Sequence, residues 1–218
     1  MRVMSRVLSI LFIVSIPLFL LTSNIRWVAN DLHYWEKGFE KYDVSAETGF
    51  SEKELTDISK GLIRYFNSGE IDDTIHVFSD DEITHLRDVR GLIQLDYIIQ
   101  WLTLGYLIIY ILAGFVLRKK LFARPLAVAL AAGGAAGIAA VALTAIAAAI
   151  DFDWLFTAFH RIFFTNELWI SSGYLPLIYT EGFFYDAARA IAASTIFQSL
   201  LIGAPAGLFL LRRRGSNQ

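Results

Sequence analysis

The sequence predicts an all-α membrane protein, with four transmembrane helices and an extracellular cap between helices 1 and 2. Hydrophobic residues make up 56% of the chain and the mean hydropathy is +0.50, and both values exceed what a soluble domain usually shows. Four apolar segments stand out, and a helix needs about 20 apolar residues to cross the hydrocarbon layer. The chain has no cysteine, which excludes disulfides, thiolate metal sites and a thiol nucleophile.

The apolar segments and the polar stretches between them define the predicted domain boundaries. The first segment is short but lacks a small-residue cleavage site, so it is interpreted as an uncleaved span rather than a signal peptide, and Pro17 is expected to kink it. The third contains the tract AAGGAAG, whose small residues favour close helix packing. The predicted order is transmembrane helix 1 at 1–22, extracellular cap at 23–91, helix 2 at 92–117, helix 3 at 126–150, extracellular loop at 151–186 and helix 4 at 187–211.

The charges at the ends of the apolar segments predict the orientation of the chain. Basic residues occupy the start of the chain, the turn after helix 2 and the segment after helix 4, and none of these three contains Asp or Glu. The positive-inside rule therefore places both termini in the cytoplasm, with the cap and the second loop outside the cell membrane. The basic residues are Arg2, Arg6, Arg118, Lys119, Lys120, Arg124, Arg212, Arg213 and Arg214.

The cap contains two signals for the start of a helix. Ser51 with Glu54, and Ser79 with Glu82, have the spacing of a capping box, in which each side chain bonds the backbone N–H of the other residue. The second signal opens SDDEITHLRDVRGLIQLDYIIQ, which no Pro or Gly pair interrupts, so we expect one helix that begins in the cap and continues into span 2. The stretch Asp31–Val44 is amphipathic and aromatic, and has the composition of a helix that lies on lipid headgroups.

Two histidines are predicted to lie at the outer boundary of the membrane. His85 and Asp88 are three residues apart on the helix opened by Ser79, so they share a face. His160 follows span 3 in FTAFHRIFFTNELWI, whose rings suit the aromatic belt of a membrane interface. One histidine in such a position is more often structural, whereas two at one level make a catalytic role about as frequent as a structural one. The rings of this segment are Phe156, Phe159, Phe163, Phe164 and Trp169.

The residue pattern leaves three classes of function open. The sequence has no GxSxG, HExxH or glycine-rich phosphate motif, so one class is metal-free acid–base catalysis by two imidazoles. The second is a zinc-dependent membrane hydrolase with His85, Asp88 and His160 as ligands, although His-x-x-Asp is a common pattern. The third is a non-enzymatic membrane protein with a partner-binding cap. A dry aromatic pocket favours the first, because it suits transfer to an acceptor other than water.

The motifs THLRDVRGLI and FHRIFFTNELWI, with four apolar spans and an outer cap, resemble the bacterial lipoprotein intramolecular transacylases. The resemblance extends over nearly the whole chain in layout, and its specific part is a His-x-x-Asp-Val motif and a Phe-His-x-x-Phe-Phe motif. In this chain these motifs comprise His85, Asp88, Val89, Phe159, His160, Phe163 and Phe164, followed by Asn166 and Trp169.

The resemblance implies an acyltransferase that uses neither a metal nor a cofactor. Its substrate would be a diacylated lipoprotein, and the enzyme would move the sn-2 acyl chain to the α-amine of the N-terminal cysteine, giving a lyso-form lipoprotein. The family's catalytic histidines correspond to His85 and His160. Asp88 and Asn166 are expected to orient them, and the five rings named above are expected to line the pocket. Membrane lipid is the other expected partner, and nucleic acid is not expected to bind.

Overall fold

The computed structural model describes residues 2–215, and it confirms the predicted all-α class, because the described residues form helices and no strands. Met1, which belongs to predicted transmembrane helix 1, and residues 216–218 lie outside the described residues. The helices are α1 (Arg2–Asn30), α2 (Leu32–Lys41), α3 (Val44–Thr48), α4 (Glu52–Ser68), α5 (Asp80–Arg118), α6 (Ala123–Ile150), α7 (Phe152–Phe163), α8 (Tyr174–Ile178) and α9 (Glu181–Gly215), with 3-10 helices at Asp73–Val77 and Lys119–Phe122.

Within residues 2–215, three helical stretches are long and apolar enough to cross a membrane. They are Ser5–Asn30, Asp80–Ile150 and Glu181–Arg212, and an 18-residue window within each has a mean hydropathy of 2.1, 2.2 and 1.6, respectively. The middle stretch, of 71 residues, consists of α5, the 3-10 helix after it and α6. The helices extend beyond the predicted spans because backbone hydrogen bonding does not have to stop at the edge of the hydrocarbon layer.

The chain divides into two compact units. The first, which we call the apolar unit, comprises the chain up to Ile25, Tyr97–Ile146 and the chain from Ile191 onward. The second, which we call the cap unit, comprises Arg26–Asp96 and Ala147–Ala190. The cap unit therefore contains both candidate histidines and every other predicted site residue.

The apolar unit is packed through small residues and a polar pair. A Cβ added at Gly134 on α6 would lie 2.7 Å from the backbone oxygen of Ser199 and 2.9 Å from the Cα of Gly203 on α9, so the two backbones approach closely only because glycine is present. On α1, Asn24 exchanges hydrogen bonds with Gln198, at 3.0 and 3.2 Å between amide nitrogen and oxygen. This is the close packing that the AAGGAAG tract predicts.

The cap unit has its own hydrophobic core, to which α4 contributes more buried side chains than any other helix of the described residues. The predicted capping box starts this helix, since the Oγ of Ser51 accepts from the N–H of Glu54 at 3.3 Å and the carboxylate of Glu54 accepts from the N–H of Ser51 at 2.8 Å. The helix ends at Gly69, whose φ of 84° lies in the left-handed region that glycine adopts without strain. The buried residues of α4 are Leu55, Ile58, Ser59, Gly61, Leu62, Tyr65 and Phe66.

Helix α2 is amphipathic, as predicted, but its apolar face packs inside the cap unit rather than on lipid headgroups. Trp35 and Phe39 are buried in the core, and the ring centroids of Trp35 and Tyr179 are 5.2 Å apart. The indole N–H of Trp35 donates to the backbone oxygen of Val28 at 2.9 Å. An amphipathic pattern identifies an apolar face, but it does not identify the surface against which that face packs.

Helix α5 is continuous from Asp80 to Arg118, as the absence of helix breakers predicts. Its start is fixed by the second capping box, since the carboxylate of Glu82 accepts from the N–H of Ser79 at 2.9 Å and the Oγ of Ser79 accepts from the N–H of Glu82 at 3.3 Å. Glu82, His85 and Asp88 follow at intervals of three residues and therefore share one face of α5. The same helix includes the predicted span 92–117.

Candidate active site

The two candidate histidines lie next to each other in the cap unit. His85 is on α5 and His160 is on α7, and their ring centroids are 6.0 Å apart with 34° between the planes. Their exposed fractions are only 6% and 8%. The structure thus brings together, in a buried position, two imidazoles from distant parts of the sequence.

Helix α7 fixes the position and the tautomer of His160. The helix begins at Phe152 and is capped by Asp151, whose carboxylate accepts from the N–H of Trp154 at 2.9 Å. Near its end, the Nδ1 of His160 lies 2.8 Å from the backbone oxygen of Phe156. A carbonyl oxygen can only accept, so Nδ1 carries the proton and Nε2 keeps its lone pair in the neutral ring. His160 therefore offers a basic nitrogen, Nε2, in a defined position.

Aromatic rings surround the imidazole of His160. Trp169 stacks on it with a centroid distance of 4.7 Å and an angle of 27°, and Phe164 stacks at 5.3 Å and 28°. Phe156 lies at 4.2 Å, and Phe159 meets the ring edge-on at 5.3 Å. These rings leave little room for water around the imidazole.

The predicted pocket-lining rings differ in their exposure. Phe164 is buried and contacts both imidazoles, since its centroid is 4.9 Å from that of His85. Phe159 and Phe163 are 44% and 51% exposed, and they pack on each other at 4.9 Å. Both therefore belong to an exposed face of α7. The pocket-lining role of all five rings stays a prediction.

Burial keeps both imidazoles in the neutral form at pH 7. His85 lies outside the predicted membrane spans, because it precedes the predicted start of span 2 at Leu92. Burial lowers the pKa of His85 to about 4, and the nearby His160 also lowers it, whereas Asp88 raises it. Burial lowers the pKa of His160 as well, against the opposing effect of its hydrogen bond to the oxygen of Phe156. A buried ring loses the hydration that stabilises an imidazolium, so both rings are present in the unprotonated form that a general base requires.

The two residues expected to orient the histidines, Asp88 and Asn166, are hydrogen-bonded to each other. The Nδ2 of Asn166 donates to the carboxylate of Asp88 at 2.9 Å, and its Oδ1 accepts from the N–H of Leu168 at 3.1 Å. Asp88 acts on His85 through its charge. Among the residues that the structure describes, no group bonds to the buried Nδ1 of His85.

Glu82 has contacts near the histidines that sequence reasoning missed. Its side chain is 1% exposed, and its Oε1 accepts from the Oγ of Ser171 at 2.9 Å and from the N–H of Leu175 at 2.8 Å. The capping box is the only sequence signal at Glu82. Its additional partners lie 89 and 93 residues further along the chain, where helix periodicity gives no information.

The zinc alternative requires His85, Asp88 and His160 to converge on one point. Across residues 2–215, no group of three or more His, Asp or Glu side chains is placed to hold a metal ion. In this structure the carboxylate of Asp88 is bonded to Asn166.

Comparison with known proteins gives a family match and three structural matches. The family model "Lipoprotein intramolecular transacylase Lit" matches residues 10–184. The structure of the membrane integral lipoprotein intramolecular transacylase Lit from Bacillus cereus has a TM-score of 0.81 at 18% identity, covering 98% of this chain and 99% of that chain.

Two structures of Lit variants from the same organism, with a histidine replaced by arginine or by alanine, each have a TM-score of 0.78 at 18% identity. They cover 98% and 97% of this chain, and 95% and 96% of their own chains. At this identity the similarity shows the fold, that of a membrane-integral helical protein. No curated protein matches the chain.

Proposed function

The chain belongs to the lipoprotein intramolecular transacylase family, and we propose that it moves the sn-2 acyl chain of a diacylated lipoprotein to the α-amine of the same lipoprotein's N-terminal cysteine. The product is a lyso-form lipoprotein. The observation that carries this proposal is the pair of buried neutral imidazoles, His85 and His160, with ring centroids 6.0 Å apart. The reaction exchanges an ester for an amide, which is downhill, so it requires no ATP, and we propose that the two imidazoles catalyse it without a metal.

In the first step the α-amine attacks the carbonyl carbon of the sn-2 ester. The amine has an ordinary pKa of about 8, so a neutral imidazole can take its proton as the N–C bond forms. We assign this role to Nε2 of His160, because Nδ1 is engaged with the oxygen of Phe156. The products of this step are a tetrahedral oxyanion and the imidazolium of His160.

In the second step the bond between the carbonyl carbon and the sn-2 oxygen breaks. His85 donates an N–H to the oxyanion and relays the proton from the imidazolium of His160 to the departing sn-2 oxygen. The amine loses one proton and the sn-2 oxygen gains one, so both imidazoles return to their neutral forms. Asp88 supports this relay because its negative charge favours a transient positive charge on His85.

The aromatic environment favours transfer over hydrolysis. Water in the site would compete with the amine for the acyl group, and the rings of Phe164 and Trp169 beside His160 reduce its access. Because acyl donor and acceptor are parts of one molecule, holding them in reach of each other replaces a bimolecular encounter. Positioning by the site therefore supplies much of the expected rate enhancement.

We propose that the cap lies outside the cell membrane and that both termini lie in the cytoplasm. The distribution of basic residues supports this orientation, since the basic ends and the turn after α5 contain no Asp or Glu. The lipoprotein peptide would then approach from outside, with its acyl chains in the outer half of the membrane. The proposed spans are 1–22, 92–117, 126–150 and 187–211, and the proposed external parts are 23–91 and 151–186.

The activity can be tested with purified protein and a synthetic peptide whose N-terminal cysteine carries a diacylglyceryl thioether. Substrate and product are isomers of equal mass, so the assay has to distinguish an ester from an amide. Transfer removes the reactivity of the α-amine towards amine reagents and makes one acyl chain resistant to mild alkali. The wild-type protein should produce both changes together.

Variants of the two histidines then test the site. We expect His85→Ala and His160→Ala each to abolish both changes in folded protein, whereas His33→Ala, at an exposed cap position, should leave the rate unchanged. Wild-type rates in either site variant would refute the scheme. The activity should also persist in the presence of a chelator, and loss of activity on zinc removal would favour the metal hydrolase alternative instead.

A further inference from the structure

Two carboxylates on α5 flank His85, and both bond to the segment that follows α7. Asp88 accepts from Asn166 at 2.9 Å, and Glu82 accepts from Ser171 at 2.9 Å. We call residues 166–175 the strap. Because Glu82, His85 and Asp88 share one face of α5, the strap is attached to α5 on both sides of His85.

The Glu82 carboxylate is the more elaborate of the two attachments. Its Oε2 accepts from the N–H of Ser79 at 2.9 Å and from the Oγ of Ser79 at 3.0 Å. Its Oε1 accepts from the Oγ of Ser171 at 2.9 Å and from the N–H of Leu175 at 2.8 Å. Four donors converge on one buried side chain, which matches the acceptor capacity of an ionised carboxylate. Two of the donors are backbone N–H groups, which can donate a hydrogen bond but cannot accept one.

Gly173 shows that the strap is folded closely around this carboxylate. A Cβ at Gly173 would collide with both carboxylate oxygens of Glu82. The φ of Gly173 is −84°, which any residue can adopt, so glycine is needed here for space and not for conformation. The N–H of Gly173 donates to the Oγ of Ser171 at 2.9 Å, which orients the hydroxyl that Glu82 binds.

Trp169 lies between the two attachments of the strap and stacks on His160 at 4.7 Å. We propose that Glu82 is a positioning residue for the acyl transfer. By holding the strap to α5, it keeps Trp169 against His160, which fixes the imidazole and limits the access of water. The effect on catalysis rests on the proposed function, whereas the attachment of the strap can be tested without it.

Glu82→Gln tests this inference with a matched control in the same chain. The NH₂ group of the glutamine must face either the backbone N–H of Ser79 or that of Leu175. One of these two N–H groups, in the capping box of α5 or in the strap, therefore loses its hydrogen-bond acceptor. Glu54→Gln perturbs the other capping box, which is exposed. There the carboxylate of Glu54 accepts from the N–H and the Oγ of Ser51, as Glu82 does from Ser79. We expect Glu82→Gln to lower kcat by about 10- to 100-fold, as a small misplacement of a catalytic group does, and Glu54→Gln to change kcat by less than about twofold.

Hydrogen exchange measures the attachment independently of activity. Amides of the strap should exchange faster in Glu82→Gln than in wild type, and should be unchanged in Glu54→Gln. Ser171→Ala leaves the capping box of α5 intact. It removes one of the two strap bonds to Glu82, together with the bond from the N–H of Gly173 to Ser171, so it should show the same two effects in weaker form. If Glu82→Gln does not fold, Ser171→Ala tests the attachment of the strap in its place. The losses of kcat in the double variant of Glu82 and Ser171 should be less than additive, because both substitutions break the same bond between these two side chains.

The possible outcomes separate the two proposals. An inactive wild-type protein would overturn the proposed function, while the exchange rates would still report on the strap. An active wild type with normal kcat in Glu82→Gln or Ser171→Ala, despite faster exchange, would overturn the positioning role. Unchanged strap exchange in both variants would show that Glu82 does not hold the strap.

Discussion

Replacing His160 by asparagine separates the two roles that the structure gives this side chain. The asparagine Nδ2 can take the place of Nδ1 and donate to the backbone oxygen of Phe156, a bond of 2.8 Å in the wild-type protein. Nothing basic then remains at the position of Nε2. Loss of a general base costs about 10²- to 10⁴-fold in rate, which corresponds to about 3–5 kcal/mol.

The stability of this variant should differ from that of His160→Ala. Both lose the stacking of the imidazole on Trp169 and Phe164, worth about 0.5–1.5 kcal/mol for each pair by comparison with other aromatic pairs. Only the alanine variant also loses the hydrogen bond to Phe156, which contributes about 1 kcal/mol. His160→Asn should therefore be more stable than His160→Ala by about 1 kcal/mol and equally inactive.

The assay pairs the rate of formation of alkali-resistant acyl chain with the free energy of unfolding of each variant. His160→Gln is the control, because its amide reaches the position of Nε2 without supplying a base, and it should also be inactive. If His160→Asn kept more than about a tenth of the wild-type rate, a loss far below that expected for a general base, the assignment of the base to His160 would be wrong. Equal stabilities of the Asn and Ala variants would show that the Phe156 bond does not hold the ring.

Three further predictions concern pH, packing and orientation. Below a pH of about 8, the logarithm of the rate should fall with a slope of one against pH, as the α-amine takes up a proton. The slope should approach two only below about pH 6.5, because burial lowers the pKa of His160 and its neutral form is the base. A slope of two already above pH 6.5 would contradict this. Gly134→Ala should destabilise the protein by about 1–3 kcal/mol by overpacking, since its Cβ would lie 2.7 Å from a backbone oxygen. Gly105→Ala is the control: a Cβ there meets nothing within 4 Å, so this variant should not lower the midpoint of unfolding. Because the chain has no cysteine, Lys53→Cys and Lys120→Cys can each be probed with an impermeant thiol reagent on intact cells; the first should react and the second should not, and the reverse result would invert the proposed orientation.

Much of the fold could be predicted because its determinants are local. Apolar runs, capping boxes and the absence of helix breakers depend on neighbouring residues, so they predicted the long helices and the continuity of α5. The surface that buries α2 could not be predicted, because its partner Tyr179 comes from the far end of the chain. The start of α9 at Glu181, ahead of the predicted span at 187, has a similar cause, since hydropathy marks the apolar part of a helix and not its polar first turns.

The sequence was sufficient to name candidate site residues, but it did not reveal which of these residues contact one another. Residue types and helix spacing identified His85 and His160 as candidates, and the structure brings the two rings together. The partner of Asp88 was missed, because a carboxylate three residues from a histidine shares its helix face but is equally free to bond a side chain from another segment. That side chain, Asn166, lies 78 residues further along the chain, beyond what periodicity can reveal.

The most direct test of the central claim follows an isotopically labelled sn-2 acyl chain on a diacylglyceryl cysteine peptide. The account predicts that the wild-type protein converts the labelled ester into a labelled amide on the same peptide molecule, even when an unlabelled peptide with a distinguishable sequence is present in excess. Release of the label as free fatty acid would contradict it, because water would then be the acceptor. Appearance of the label on the second peptide would contradict it as well, because donor and acceptor would then be separate molecules.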